Sequence, residues 1–400
     1  MKPISISRCT SYDPDEVETA IRECLQLLGG AGRFASRGDR VLLKPNMLMA
    51  ATPERHVTTH PAVVEATARV FIDTGAEVRI GDSPGGSFRN IERFWRATGM
   101  LDVAGRLDIE LVNFEASGSY IIQGYPVSRP VIDSDVVVNL PKIKTHSMTI
   151  FTCAVKNMYG AVPGFRKAEY HREHPRPSDF AERLLEIYRI TAPSITLVDG
   201  ITGMEGNGPS GGTPRDIGLI LGSEDALALD VYIPWILGMD PERIPVNAAA
   251  RRMGHHRDPD DVEVLGHEPE RIEDFRWPSN IYYTLDLLPS GLARALMRLW
   301  WSRPAIDPDK CRNCNLCVES CPVDALSPGV IIPEFDYGEC INCLCCMEVC
   351  PLQHSIRIRA YSTGSQEGSQ GYLNRSTQHP LQLFMHLYWI GVFQCPGRQG

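Results

Sequence analysis

Two hydrophobic periods alternate along the first two-thirds of the chain. Short apolar runs at 4–7, 41–43, 76–80, 135–140, 195–198 and 216–221 read as strands. Between them, apolar residues recur three and four positions apart. Val17, Ile21, Leu25 and Leu28 mark one helix. Asp13 and Glu16 are spaced as a capping box, Pro14 takes the first helical position, and Gly29 and Gly30 end the run. Pro61 opens a second helix that runs to Asp73 and stops at Gly75; 178–190 and 226–237 read as two more. Strands alternating with helices need crossover connections. The pattern predicts an α/β fold over residues 1–280, a largely parallel sheet with helices on both faces. Ligands of such a sheet bind beyond the carboxyl ends of its strands.

The pattern then changes. In 281–303, Leu292, Leu296, Leu299 and Trp300 share one helical face, with Arg294 and Arg298 off it. This reads as a connector helix docking a second module; a membrane-surface helix with Trp300 and Trp301 at the interface is the alternative. Residues 362–378 are rich in Ser, Gly and Gln, as in a flexible linker. The run 381–393 is apolar but too short to span a bilayer, so 361–400 is expected to be a polar linker with a short apolar tail of no assigned role.

Residues 304–360 carry the chemistry with the sharpest spacing. CRNCNLCVESCP (311–322) and CINCLCCMEVCP (340–351) each read C-x-x-C-x-x-C-x-x-x-C-P, 29 residues apart. This is the bacterial ferredoxin run, in which thiolates hold two [4Fe–4S] clusters. Three cysteines on a tight loop face one cube, and the fourth reaches the other. Cys311, Cys314, Cys317 and Cys350 are therefore assigned to one cluster, and Cys340, Cys343, Cys346 and Cys321 to the second. Cys345 aligns with Leu316 and reads as a packed thiol. Pro322 and Pro351 turn the chain after the fourth ligand. Zinc ribbons, the competing reading, pair their cysteines across longer gaps. Asn315 and Leu344 follow the second ligand of each run, where Gly is common and a left-handed backbone is expected, which Asn tolerates and Leu does poorly.

Net charge is −9, which argues against a general nucleic-acid binder or an anionic-membrane binder. The segment 304–360 holds eight acidic and four basic residues. Such a module suits a basic redox partner protein or a low-potential electron carrier. The first residues show no apolar secretory core, and thiolate clusters suit a reducing compartment, so a cytoplasmic location is expected.

Polar clusters recur at the expected strand ends of the larger domain: KPNML (44–48), TTHPAVVEA (58–66), GDSPGG (81–86), NLPKIKTH (139–146), TCAVKNMYG (152–160) and VDGITGMEGNGPSGGTP (198–214). Lys44, Lys142, Lys144 and Lys156 place cations there, with Asn46 and Asn157 beside them. The glycine-rich turns 81–86 and 206–212 could offer backbone N–H groups to an anion. Together these residues are candidates for a small anionic ligand. His60, Asp82, His146, Asp199 and Glu205 are the candidate acids, bases or metal ligands, although a lone His or Asp before a helix is more often a cap. GNGPSG (206–211) satisfies G-x-G-x-x-G, but Pro209 interrupts it and a strand follows, so a dinucleotide site is not expected.

In the order of these motifs, KPN, GDSPG, NLPKIKTH, VKNMYG and the DG…EGNGP run, the chain resembles the domain of unknown function 362 family, often fused to a double-cubane ferredoxin module. The resemblance covers roughly 41–358 and names no reaction. Three functions fit these residues. The first is an iron–sulfur oxidoreductase relaying electrons between an external carrier and a ligand in the α/β domain. The second is a non-enzymatic electron carrier or maturation factor acting on a partner protein. The third is a binding module whose clusters are structural.

Overall fold

The computed structural model describes residues 2–84, 91–164, 166–174, 176–255, 257–278, 301–321, 323–340, 345–350, 352 and 355–361. The expected connector up to Trp300, the tail from Ser362, and Pro322, Cys343, Leu344 and Pro351 lie outside them.

Ten strands form one mixed, mostly parallel sheet. In chain order they are β1 (Ile4–Arg8), β2 (Arg40–Pro45), β3 (Glu77–Asp82) and β4 (Glu110–Asn113). A separate hairpin follows, β5 (Ser119–Ile122) with β6 (Tyr125–Ser128), then β7 (Val136–Leu140), β8 (Lys142–His146) and β9 (Ile150–Thr152). The long pair β10 (Ile195–Glu205) and β11 (Thr213–Ser223) and the short β12 (Val264–Gly266) complete the sheet. The spatial order is β12-β1-β11-β10-β7-β2-β3-β4, with β8 on β10 and β9 on β8. The half from β10 to β4 is parallel, while β11 runs antiparallel to both neighbours.

The period of two sorts each strand's side chains onto two cores. Ile195 and Leu197 of β10 join Val41, Leu43, Val136 and Val138 under the helices Pro14–Leu27 and Pro61–Ile72. Val198, Leu219 and Leu221 face the other way, onto the helices Pro177–Thr191 and Ala226–Ile236. Helices therefore cover both faces. Asp13 caps the first helix, accepting from the N–H groups of Asp15 and Glu16. The reciprocal half of the capping box does not form: Glu16 instead accepts from Thr10 N and Ser11 Oγ.

The cysteine-rich segment builds a small module of two antiparallel strand pairs. Here β13 (Trp301–Ile306) pairs with β16 (Ile356–Tyr361), and β14 (Leu326–Ser327) with β15 (Glu334–Phe335). The first of these strands starts at Trp301, so the module's sheet begins before Pro304. The α/β domain and this module form one compact unit, Met1–Tyr361.

Candidate functional site

Strand β8 decides the geometry. Its sequence, KIKTH, reads from composition as a polar loop, yet all five residues are buried. It lies parallel to β10 with Lys142 in register with Asp199 and Lys144 with Met204. Lys142 Nζ lies 2.9 Å from Asp199 Oδ2, and neither side chain reaches solvent. The Tyr12 hydroxyl donates to Asp199 Oδ1 at 2.9 Å and accepts from Lys142 and, at 3.2 Å, from Thr202 N. His60 N donates to Asp199 Oδ2 at 2.9 Å. The buried carboxylate thus has a cation and two further donors, which offset its desolvation. The His60 ring stacks on Tyr12 with centroids 3.7 Å apart, and His56 continues the stack at 6.0 Å.

Burial pushes several groups from their ordinary values. Desolvation lowers Lys142, with the Asp199 charge opposing it. Tyr12 is raised by burial and by Asp199, so its proton stays on. Burial takes His60 down to about 4, and the imidazole is neutral at pH 7. Its Nδ1 accepts from Ala62 N at 3.2 Å, capping the helix Pro61–Ile72 and leaving the proton on Nε2.

A second pair lies on the neighbouring strands. Lys44 Nζ, at the end of β2, is 2.6 Å from Asp82 Oδ1 at the end of β3. Asp82 Oδ2 accepts from Met47 N at 2.9 Å. Desolvation lowers Lys44 too. Gly160 is required here: a Cβ would meet Asp82 Oδ1 at 2.3 Å and Lys44 Nζ at 2.7 Å. Asn157 Nδ2 donates to the Lys44 carbonyl at 3.2 Å and to Asn139 Oδ1 at 2.8 Å, while its own Oδ1 is buried with no hydrogen-bond partner among the described residues. Lys144 Nζ donates to Asn46 Oδ1 and, at 2.7 Å, to Val57 O.

Other predicted residues lie apart from these pairs. His146 Nδ1 accepts from Met148 N and Thr149 N, the work of a turn cap. Glu205 is bound by Arg276 through Nε at 2.6 Å and through its backbone N at 3.0 Å. Lys156 is half-buried on the helix Ala154–Asn157. In the turn after Glu205 two amides are already engaged: Gly206 N donates to Arg276 O, and Gly208 N to Gly206 O and Thr145 Oγ1. Gly208 is taken up because the turn packs tightly on β8; a Cβ there would sit 2.1 Å from Thr145 O. In the other glycine-rich turn, 85–90 lie outside the described residues. Lys167 clamps that turn's start, donating to Ser83 O at 2.6 Å and Pro84 O at 3.0 Å, and burial lowers it to about 8.

Composition did not point to Tyr12, His56, Lys167 or Arg55. The only trace of Tyr12 is its place in the turn leaving β1, and of the others their closeness to quoted motifs.

In the cluster module, Cys311, Cys314, Cys317 and Cys350 line one pocket with Ile306, Leu316 and Ile356. Burial, with the Cys350, Cys314 and Cys311 thiolates, raises Cys317 to about 12; Cys350 is raised chiefly by burial. Thiolates so placed repel one another and need a positive counter-charge, which iron supplies. Asn313 N donates to Cys311 Sγ at 3.4 Å and Ala325 N to Cys321 Sγ at 3.2 Å, as thiolate ligands favour. Cys321, Cys340 and Cys346 share the module's apolar core. Asn315 adopts φ 59°, the left-handed turn expected of it. Among the described residues no three His, Cys, Asp or Glu side chains converge as a single-ion site requires. Four thiols around one pocket suit a cube, whose irons are separate, better than one zinc ion.

One loop touches both regions. Residues 46–60 supply Asn46, Val57 O and His60 N to the lysine pairs. The same loop's Met49, Ala51 and Val57 pack with Met204 against Val349 of the module, with Leu316 alongside. Arg55 lies close enough to Cys350 and Cys314 for their charge to act on it.

Two family models match the chain: "Domain of unknown function (DUF362)" over residues 41–233, and "4Fe-4S dicluster domain" over 303–351. A curated relative, the thylakoid-associated protein sll1697 of Synechocystis sp., is 40% identical over 260 residues, covering 64% of this chain and 80% of that protein. Among solved structures, the lactate racemase apoprotein from Thermoanaerobacterium thermosaccharolyticum matches at 12% identity and a TM-score of 0.38, spanning 59% of this chain and 57% of that one. A likeness that slight carries no argument. Among the described residues, no helix is long and apolar enough to cross a membrane.

Proposed function

The chain belongs to the DUF362 family, joined to a C-terminal 4Fe-4S dicluster domain through which it binds 4Fe-4S clusters, and from that premise we propose that it is an iron–sulfur oxidoreductase. Electrons would pass between an external carrier and a small anionic ligand at the carboxyl ends of β2, β3 and β7, where β8 begins. Cys311, Cys314, Cys317 and Cys350 would hold one cluster, and Cys340, Cys343, Cys346 and Cys321 the other. Bound there, the clusters supply one-electron oxidation and reduction.

The loop 46–60 carries this reading, because it spans from the thiol pocket to the buried lysines. The chain's own residues have separable tasks. Lys142 and Asp199 fix the Tyr12 hydroxyl in place. Tyr12 keeps its proton at neutral pH and can donate it to a neighbouring acceptor. His60, neutral, presents Nε2–H beside it.

One observation favours the second reading, a carrier or maturation factor acting on a partner protein: Lys44 and Lys142 are already neutralised by Asp82 and Asp199. A single experiment separates the two. Anaerobic protein reduced with dithionite is mixed with a panel of carboxylate and phosphate compounds, and the cluster absorption is followed. Reoxidation by one compound, slowed in Tyr12→Phe, supports the oxidoreductase. Reoxidation by protein acceptors alone supports the carrier.

A further inference from the structure

A polar cavity, about 560 Å³, opens on the α/β domain away from the strand-end pairs. Its wall comes from the helices Arg166–Glu173 and Pro177–Thr191 and from the turn between β5 and β6. Arg166, Arg183 and Arg189 line it, with His174, Tyr125 and a single carboxylate, Glu186. None of these residues belongs to the strand-end pairs. Three guanidinium groups have two carboxylate partners, Glu186 and Glu169, which leaves one positive charge in excess in a chain of net charge −9.

The guanidinium groups are incompletely used. Arg183 donates from Nη1 to Tyr125 Oη at 3.0 Å and pairs with Glu186 at 2.9 Å. Its Nε, however, is buried with no hydrogen-bond partner among the described residues. A buried charged donor left unpaired is costly, and an acceptor entering the cavity would remove that cost. Arg189 is exposed and makes no ion pair or hydrogen bond among the described residues. Arg166 is pre-oriented, paired with Glu169 at 2.7 Å and lying 4.9 Å over the Tyr170 ring. That stacking covers Tyr170, and Tyr125 and Tyr170 are both buried against each other, so neither ring is open to stack on an aromatic ligand.

We propose that this cavity binds a small multivalent oxyanion, gripped by the forks of Arg183 and Arg189 with Arg166 at its edge. A guanidinium fork matches the paired oxygens of phosphoryl and carboxylate groups, and the size lies within the range of small-ligand sites. The site is independent of the proposed redox reaction.

The test is calorimetric titration of the anaerobic, cluster-loaded full chain with pyrophosphate and, separately, citrate. Binding of either is expected, weakening with added salt. Arg189→Gln, an exposed position, should reduce affinity about tenfold, as loss of one charge-assisted contact does. Arg183→Lys keeps the charge but loses the fork, and should weaken binding while the cluster absorption stays unchanged. Tighter binding of pyrophosphate assigns a phosphoryl ligand; tighter citrate assigns a polycarboxylate. Binding of neither at millimolar concentration, or affinity unchanged in both variants, overturns the proposal.

Discussion

The strand-end pairs are buried and the thiol pocket is partly so, and both are rich in ionisable groups, but their charges are balanced in opposite ways. In the α/β domain, two buried cations have their own anions, Lys142 with Asp199 and Lys44 with Asp82, and a third, Lys144, donates to Asn46 Oδ1 and Val57 O. The protein neutralises this region from within. In the module, Cys311, Cys314, Cys317 and Cys350 carry the same sign when ionised, and burial disfavours the charge further at Cys317 and Cys350. That region is balanced only by metal. The first should be a rigid, pre-formed scaffold; the second should depend on its clusters for both charge and packing.

The largest break of this contrast comes from the thiol side. Cys317→Ser should lower iron from about eight per chain to about four and leave paramagnetic resonance from one reduced cluster. Iron and sulfide analysis with two intact cluster signals would contradict the assignment. On the charge-paired side, Asp199→Ala leaves Lys142 buried without its anion and should cost about 3–5 kcal/mol in anaerobic denaturant unfolding. The double variant Lys142→Met with Asp199→Leu removes both charges and should cost less than Asp199→Ala alone; a larger cost would mean that the pair does more than neutralise itself.

The smallest expected effect is a pH dependence. His60 is near 4 in the folded chain against an ordinary 6.5, so the folded state binds its proton more weakly than the unfolded one. Its contribution to stability is present above 6.5 and is lost as pH falls from 6.5 towards 4. His60→Asn keeps a capping side chain and should flatten that part of the stability profile. Equal acid slopes in both proteins would remove His60 from the buried stack.

The spacing of the cysteines is local chemistry, and so the dicluster module was legible from two twelve-residue runs. The alternation of periods likewise gave the mostly parallel sheet and its covering helices, because each period reports only near neighbours along the chain. Lys142 and Lys144 were legible as strand-end cations but not as buried ones, since KIKTH has the composition of a loop and becomes a strand only against β10. Tyr12 was invisible because its partner Asp199 stands 187 residues away. The sequence by itself determined the ligand types, the order of the main strands and helices, and the family. Which charges meet, and that the loop 46–60 joins them to the thiol pocket, was decided by sheet order and register, which bring residues distant in the chain within hydrogen-bond reach.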